Sequence, residues 1–287
     1  MTAGGRRILV VGAGAMGSQI AMLCALAGHR TEIFDVSADA YDAALAALRG
    51  RVERMVVKGR LTDAEADEAF SRLAFVPLLE DGAATADLVV EAATERLDVK
   101  RDIFTRLGAA APAHAVLTTN SSTLASSRLA EASGRPDRLC NMHFFNPALQ
   151  MACVEVVRNP ETSDDTVDTV LALARELGKQ PVLVQREVPG FIANRLMGAV
   201  QKEALALYAE GVASFEDIDA TARGALNHPM GPFELMDLVG LDVTQFIAEA
   251  IFAETGAPED APSPLVGRLV DHGKLGRKSG EGWYRYG

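Results

Sequence analysis

A glycine-rich loop near the N-terminus has the residue types and spacing that bind a dinucleotide. Gly12-Ala13-Gly14-Ala15-Met16-Gly17 follows the short apolar run 7–11 and opens a segment with apolar residues at helical spacing. In this arrangement the three glycines allow a tight turn, close approach of the backbone to a pyrophosphate, and helix–strand packing. A second apolar run closes on Asp35, whose carboxylate would accept bonds from both ribose hydroxyls and repel a 2′-phosphate. A capped strand and turn would explain Asp35 alone, but not Asp35 together with the glycine loop. We therefore expect a dinucleotide site, and the carboxylate of Asp35 favours NAD over NADP.

His143 and Glu155 form a candidate acid–base pair. His143 ends the apolar run 139–143, and ligands of open α/β sheets bind at the carboxyl ends of strands. Glu155 lies within the apolar run 153–157, where a carboxylate is costly to bury without a partner. A neighbouring imidazole would supply that partner and would itself be oriented and made more basic. Two alternatives remain open: His143 could be structural, and Glu155 could point outwards from an edge strand.

Two further polar segments could contact a substrate. Thr119-Asn120-Ser121-Ser122-Thr123 follows another apolar run and offers small hydroxyls at the same edge of the sheet, although Ser and Thr are also favoured as helix N-caps. Asn194 lies early in a predicted helix, where an exposed asparagine needs no special role. The sequence shows no metal-ligand spacing, and we expect no bound metal.

The elements that must position these residues alternate between strand and helix. Short apolar runs suit buried strands, and helical periodicity fills most of the segments between them. The predicted strands are 7–11, 31–34, 74–76, 87–92, 116–119, 139–143, 153–157 and 181–184. This alternation predicts an α/β fold, a Rossmann-type doubly wound and mainly parallel sheet.

The pattern changes after Pro189-Gly190, where a turn or hinge is expected. Residues 191–253 contain no convincing strand and several amphipathic segments, including 192–211 and 215–224. We therefore predict an NAD-binding domain over residues 1–187 and an all-helical domain over residues 188–287.

Composition and charge exclude several classes of protein. The chain has 287 residues, 48% hydrophobic and 23% charged, which excludes general disorder. No apolar run approaches the ~18 residues of a membrane-spanning helix. A net charge of −11 argues against nucleic acid or an anionic membrane as the main partner. The N-terminus does not read as a secretory signal, and three cysteines without paired spacing (Cys24, Cys140 and Cys153) predict reduced thiols in a cytoplasmic protein.

Along essentially its whole length the sequence resembles the 3-hydroxyacyl-CoA dehydrogenases, particularly the short bacterial 3-hydroxybutyryl-CoA dehydrogenases. The matching blocks beyond the glycine loop include His143-Phe144-Phe145-Asn146-Pro147, Pro189-Gly190-Phe191-Ile192, Met230-Gly231-Pro232-Phe233 and the tail 274–284. The resemblance implies that His143 and Glu155 are the catalytic pair, that Ser122 contacts substrate, and that Asn194 is an active-site asparagine. It also implies NAD contacts from Glu95, Lys100, Asn146 and Lys278, and a homodimer formed through the helical domain.

The resemblance also implies a site for coenzyme A in the predicted helix 38–58. Arg51, Arg54 and Lys58 have i, i+3, i+7 spacing and share one face, and Arg51 and Lys58 match positions where the family contacts CoA. A solvated basic face is the alternative interpretation.

The implied reaction is reversible oxidation of a (3S)-3-hydroxyacyl-CoA, with a short acyl chain such as 3-hydroxybutyryl, to the 3-oxoacyl-CoA with NAD. In that reaction His143 would exchange the proton of the C3 hydroxyl. Where the family commonly has Met-Lys-Leu, this chain has Met151-Ala152-Cys153, so a positive charge beside Glu155 is missing. That departure motivates one alternative, a biosynthetic dehydrogenase that acts on a hydroxyacyl group carried by acyl carrier protein. A non-catalytic NAD-binding protein is the other.

Overall fold

An eight-stranded sheet organises the first part of the chain in the computed structural model, which describes residues 5–287 except the side chain of Glu254. The strands are β1 (Arg7–Val11), β2 (Arg30–Phe34), β3 (Leu73–Val76), β4 (Leu88–Glu91), β5 (Val116–Thr119), β6 (Leu139–Phe144), β7 (Cys153–Arg158) and β8 (Gln180–Val184). Their order across the sheet is β3-β2-β1-β4-β5-β6-β7-β8. The doubly wound, mainly parallel sheet expected from the sequence is confirmed.

One pair of neighbouring strands in the sheet, β6 and β7, is antiparallel. β7 is antiparallel to β6 and parallel to β8, whereas the other neighbouring strands pair in parallel. The cause is the connection: no helix lies between β6 and β7, so the chain turns back directly, while parallel neighbours need a longer crossover. Since β8 covers the outer side of β7, the alternative in which Glu155 lies on an edge strand is wrong.

Helices cover both faces of this sheet. They are α1 (Gly17–Leu26), α2 (Ala38–Val57), α3 (Asp63–Ser71), α4 (Leu79–Ala83), α5 (Leu97–Ala110), α6 (Ser127–Ser133) and α7 (Asp164–Glu176). The short helices α4 and α6 were not expected from the sequence.

Strict alternation along β1 divides its side chains between two cores. Ile8 and Val10 pack in the core that includes residues of α1 and α7, whereas Leu9 and Val11 pack in the core that includes residues of α5. Burial of each such aliphatic side chain contributes roughly 1.5–3 kcal/mol relative to exposure. The two cores hold the carboxyl ends of the strands, where the predicted polar residues lie, in fixed positions.

The chain divides into two compact units between Val188 and Pro189. This division lies one residue from the predicted domain boundary, and the first four residues of the predicted NAD-binding domain lie outside the described range. The second unit contains α8 (Ala193–Ala209), α9 (Phe215–Leu226), α10 (Pro232–Val239), α11 (Leu241–Thr255) and α12 (Pro264–Asp271). No helix within residues 5–287 is both long and apolar enough to cross a membrane.

A buried carboxylate in α10 fixes the C-terminal tail of the second unit. Asp237 accepts hydrogen bonds from the backbone N–H groups of Trp283 and Tyr284 and from the Tyr286 hydroxyl, all at 2.9 Å. Trp283 in turn stacks edge-on against Phe233, with ring centroids 4.7 Å apart. The tail is therefore held by hydrogen bonds to one carboxylate and by aromatic packing.

We predict that Asp237→Asn destabilises the second unit by about 1–3 kcal/mol, because the new NH₂ group would face a backbone N–H that now donates to the carboxylate. Trp283 is the one tryptophan of the chain, so its fluorescence during urea unfolding reports on this unit directly. Asp271→Asn, on an exposed residue of the same unit, is the matched control and should change stability by less than about 0.5 kcal/mol. Equal unfolding midpoints for the two variants would contradict the role of Asp237.

Candidate active site

The glycine loop has the shape that a pyrophosphate needs. A Cβ atom at Gly12 would lie 2.7 Å from the carbonyl oxygen of Ala92, and one at Gly17 would lie 1.9 Å from that of Gly12, so both positions exclude any side chain. A Cβ atom at Gly14 would meet no atom within 4 Å, which leaves open space beside the exposed tip of the loop. Helix α1 begins at this loop without a side-chain cap, and the positive end of its dipole favours an anion there.

Asp35 follows β2 beside this loop and orders it. Its carboxylate accepts hydrogen bonds from the backbone N–H of Ala13 at 2.7 Å and from that of Ser37 at 3.0 Å. The side chain remains half-exposed, so it can also face a ribose at the open side of the loop. The predicted elements of the dinucleotide site, the loop 12–17 and Asp35, are thus brought together by β1 and β2.

His143 and Glu155 are direct neighbours across the antiparallel pair β6 and β7. His143 Nδ1 lies 2.9 Å from Glu155 Oε2, and both residues are buried, with 3% and 2% of their surface exposed. The ring of Phe145 packs on the imidazole, with centroids 4.6 Å apart. A buried carboxylate at Nδ1 favours the tautomer that carries its proton there, which leaves Nε2 as a proton acceptor.

The other imidazole nitrogen faces the predicted substrate residue. Ser122 Oγ lies 3.0 Å from His143 Nε2. The structure therefore joins Ser122, His143 and Glu155 in one chain of hydrogen bonds that ends at a half-buried hydroxyl. Such a chain can take a proton from, or give one to, an oxygen placed beside Ser122.

Glu95 and Lys100 lie next to this chain rather than on open surface. The Glu95 carboxylate bonds to residues 121–123, and Lys100 Nζ is 2.7 Å from both oxygens of Glu91. Lys100 is only 1% exposed. Glu91 was not expected at the site from the sequence, although it shows the same pattern as Glu155, a carboxylate within a buried apolar strand.

Two amides that sequence analysis did not select hold the strand ends of the site. Asn120 accepts a hydrogen bond from the backbone N–H of Phe144 at 2.9 Å. Asn141, fully buried in β6, donates to the carbonyl oxygens of Ser121 and Leu124 and accepts from the N–H of Ser126. These bonds attach the loop that carries Ser122 to the strand that carries His143.

The remaining predicted site residues lie elsewhere in the two units. Asn146 is exposed and precedes a cis bond to Pro147. Asn194 is the second residue of α8 and borders a cavity of ≈ 470 Å³ within the second unit. Lys278 Nζ lies 2.6 Å from both oxygens of Asp242. If this lysine contacts NAD, its ammonium group is therefore shared between the cofactor and the Asp242 carboxylate.

Arg51 and Lys58 lie on α2 as expected, with Arg51 half-buried and Lys58 exposed. Among the residues that the structure describes, neither side chain has an ion-pair partner within 4.0 Å. Arg49 on the same helix instead stacks over the ring of Phe70 at 4.4 Å. Within residues 5–287, no group of three or more His, Cys, Asp or Glu side chains is arranged to hold a metal ion.

Comparison with known proteins places this geometry in a family. Residues 7–188 match the NAD binding domain of 3-hydroxyacyl-CoA dehydrogenase, and residues 190–286 match the C-terminal domain of the same enzyme. A probable 3-hydroxybutyryl-CoA dehydrogenase of Bacillus subtilis is 39% identical over 98% of this chain and 97% of its own length. The human mitochondrial hydroxyacyl-coenzyme A dehydrogenase is 38% identical over 98% of this chain and 91% of its own length.

A solved structure agrees with these relatives. The (S)-3-hydroxybutyryl-CoA dehydrogenase of Ralstonia eutropha superimposes with a TM-score of 0.93 at 36% identity, covering 99% of this chain and all of its own. The resemblance recognised in the sequence is confirmed: the chain belongs to the 3-hydroxyacyl-CoA dehydrogenase family, and residues 7–188 form the NAD-binding domain of that family.

Proposed function

We propose that the protein catalyses the reversible oxidation of (3S)-3-hydroxyacyl-CoA to 3-oxoacyl-CoA with NAD, and that its substrates are short, such as 3-hydroxybutyryl-CoA. The observation that carries this proposal is the buried chain from Glu155 through His143 to Ser122 in a member of this family. Relatives named for 3-hydroxybutyryl-CoA support the short acyl chain.

His143 is the proton carrier of the proposed reaction. In oxidation its Nε2 takes the proton of the C3 hydroxyl, and in reduction the same nitrogen returns a proton to the C3 oxygen. Glu155 holds the proton on Nδ1 and stabilises the imidazolium while it exists. General acid–base help of this kind accelerates a reaction by roughly 10²–10⁴-fold. The buried site keeps the pair away from water, which strengthens the attraction between carboxylate and imidazolium.

Ser122 positions the substrate oxygen beside His143 Nε2, since its hydroxyl lies within hydrogen-bond distance of that nitrogen. We assign Asn194 to a second polar contact with the substrate, on the strength of its match to the family pattern. Bound NAD supplies the acceptor for the hydride that leaves C3. The residues that we expect to hold it are the loop 12–17, Asp35, Glu95, Lys100, Asn146 and Lys278.

The basic face of α2 provides a site for the CoA nucleotide. The protein carries a net charge of −11, so an anionic ligand requires local positive charge. Arg51 and Lys58 supply it, because neither is neutralised by a carboxylate among the described residues.

We also propose a homodimer formed through the second unit. Six large apolar side chains on or next to α8 and α11 are exposed: Ile192, Leu196, Val200, Val243, Phe246 and Phe252. An apolar surface of this kind commonly marks an interface with another protein chain. We further assign the protein to fatty acid metabolism in the cytoplasm, in keeping with its three free cysteines.

The carrier-protein alternative and the non-catalytic alternative predict different activities. A dehydrogenase that acts on acyl carrier protein would reduce acetoacetyl-carrier protein in preference to acetoacetyl-CoA. A non-catalytic NAD-binding protein would bind NADH and reduce neither. The joined side chains of Ser122, His143 and Glu155 argue against the second alternative, because a binding protein needs no buried acid–base pair.

We predict that the protein oxidises NADH with acetoacetyl-CoA and that His143→Gln lowers kcat by about 10²-fold or more, because the proton carrier is lost. NADH binding should persist, since His143 lies outside the glycine loop. Glu155→Gln should also lower kcat because the imidazole loses its charged partner. Steady-state kinetics with both acyl carriers measure these effects.

His114→Gln, the same change on an exposed histidine, should keep parental turnover. Near-parental kcat for His143→Gln would exclude it as the proton carrier.

We predict that replacing Arg51 and Lys58 together with Glu raises KM for acetoacetyl-CoA, most clearly at low salt. Each surface contact is expected to contribute on the order of 1 kcal/mol and to be screened by ions. A truncated thioester without the nucleotide should barely respond. Replacing Arg30 and Arg186 with Glu makes the same change in net charge at two other exposed positions and is the matched control. Equal effects on both substrates, or none on either, would remove the CoA site from α2.

A further inference from the structure

A carboxylate outside the acid–base chain fixes the loop that carries Ser122. Glu95 Oε1 accepts hydrogen bonds from the backbone N–H groups of Ser122 and Thr123, each at 3.1 Å, and from Thr123 Oγ1 at 2.9 Å. The Ser121 hydroxyl donates a fourth bond to the same oxygen. Three consecutive residues are therefore attached to one oxygen atom, and Ser122 is the middle one.

The opposite oxygen of this carboxylate faces a buried cation. Lys100 Nζ lies 3.6 Å from Glu95 Oε2 and bonds to both oxygens of Glu91. Glu91 also accepts a hydrogen bond from Thr119 Oγ1 at 2.6 Å, at the end of the strand that leads into the loop. The single charge of Lys100 thus faces two carboxylates from within the protein, where its side chain is 1% exposed.

Glu95 remains an acceptor because these neighbours outweigh the effect of burial. Burial alone would raise the pKa of Glu95, but the Lys100 charge and the hydrogen bonds from Ser121 and Thr123 lower it overall. The ionised form can accept all of the bonds from the loop, whereas a protonated carboxyl would present a hydrogen to some of those donors.

We propose that Glu95 and Lys100 act together as positioning residues that hold Ser122 within reach of His143 Nε2. This inference rests on the proposed roles of Ser122 and His143. Lys100 acts on the loop through Glu95. We call Glu95, Lys100 and the loop 121–123 the serine clamp.

Coupling between substitutions separates positioning from direct contact. Lys100→Met should lower kcat with acetoacetyl-CoA about tenfold in the parent but no more than about twofold in the Ser122→Ala background, because the positioned hydroxyl is then already absent. Equal losses in both backgrounds would overturn the proposal.

Hydrogen exchange in the cofactor-free protein tests the clamp without any assay of activity. The amides of Ser122 and Thr123 should exchange about tenfold faster in Lys100→Met, while those of strand β6 keep parental protection. Unchanged protection at both loop amides would overturn the proposal. If the parent protein fails to reduce acetoacetyl-CoA, the proposed function is wrong, and the exchange rates still report on the clamp.

Thr123→Val provides a second variant in case the loss of a buried cation prevents folding. It removes one donor to Glu95 and retains the shape of the side chain, so a smaller loss of kcat with the same dependence on Ser122 is expected. Thr105→Val is the matched control, because Thr105 is exposed and its hydroxyl donates to the carbonyl of Arg101 within α5. Indistinguishable kinetics for Thr123→Val and Thr105→Val would contradict the clamp.

Discussion

The side chains of His143 and Glu155 meet because β6 and β7 run antiparallel with these two residues directly opposite each other. Residues opposite each other in such a pair point to the same face of the sheet, with Cβ atoms about 4.5–5.5 Å apart. A shift of the register by one residue would turn the two side chains to opposite faces. The acid–base pair therefore depends on a register that the buried apolar neighbours on both strands also specify.

Burial removes the hydration of this pair, and it also strengthens the attraction between its two side chains. A lone carboxylate in this position would lose its hydration without compensation, and removing one partner of a buried pair commonly costs about 3–5 kcal/mol. The same low dielectric surroundings strengthen the attraction between the carboxylate and a protonated imidazole. A second group of charges, the buried Glu91 and Lys100 with the half-buried Glu95, lies between the end of β4 and the first turn of α5 and holds the serine loop. Both groups lie where strands end, so the sheet positions all of the chemistry in the first unit.

Much of this arrangement could be predicted from the sequence, for identifiable reasons. The glycine loop and Asp35 were recognisable because backbone constraints fix their types and spacing. Glu155 stood out because a charge within an apolar run needs a partner. The direction of β7 could not be predicted, since a short apolar run carries no information on the sense of the strand. The burial of Lys100 could not be predicted either, because a lysine on an amphipathic helix normally faces water. Its partner Glu91 lies on a different element, the strand β4.

In the proposed reaction Glu155 holds the His143 imidazole with its proton on Nδ1, and Nε2 exchanges a proton beside Ser122. Nitrogen NMR of the cofactor-free protein, labelled at the histidine ring nitrogens, measures this directly. At a pH where the imidazole is neutral, we expect that His143 Nδ1 carries the proton and that Nε2 does not. A proton on Nε2, or an even mixture of the two tautomers, would contradict it.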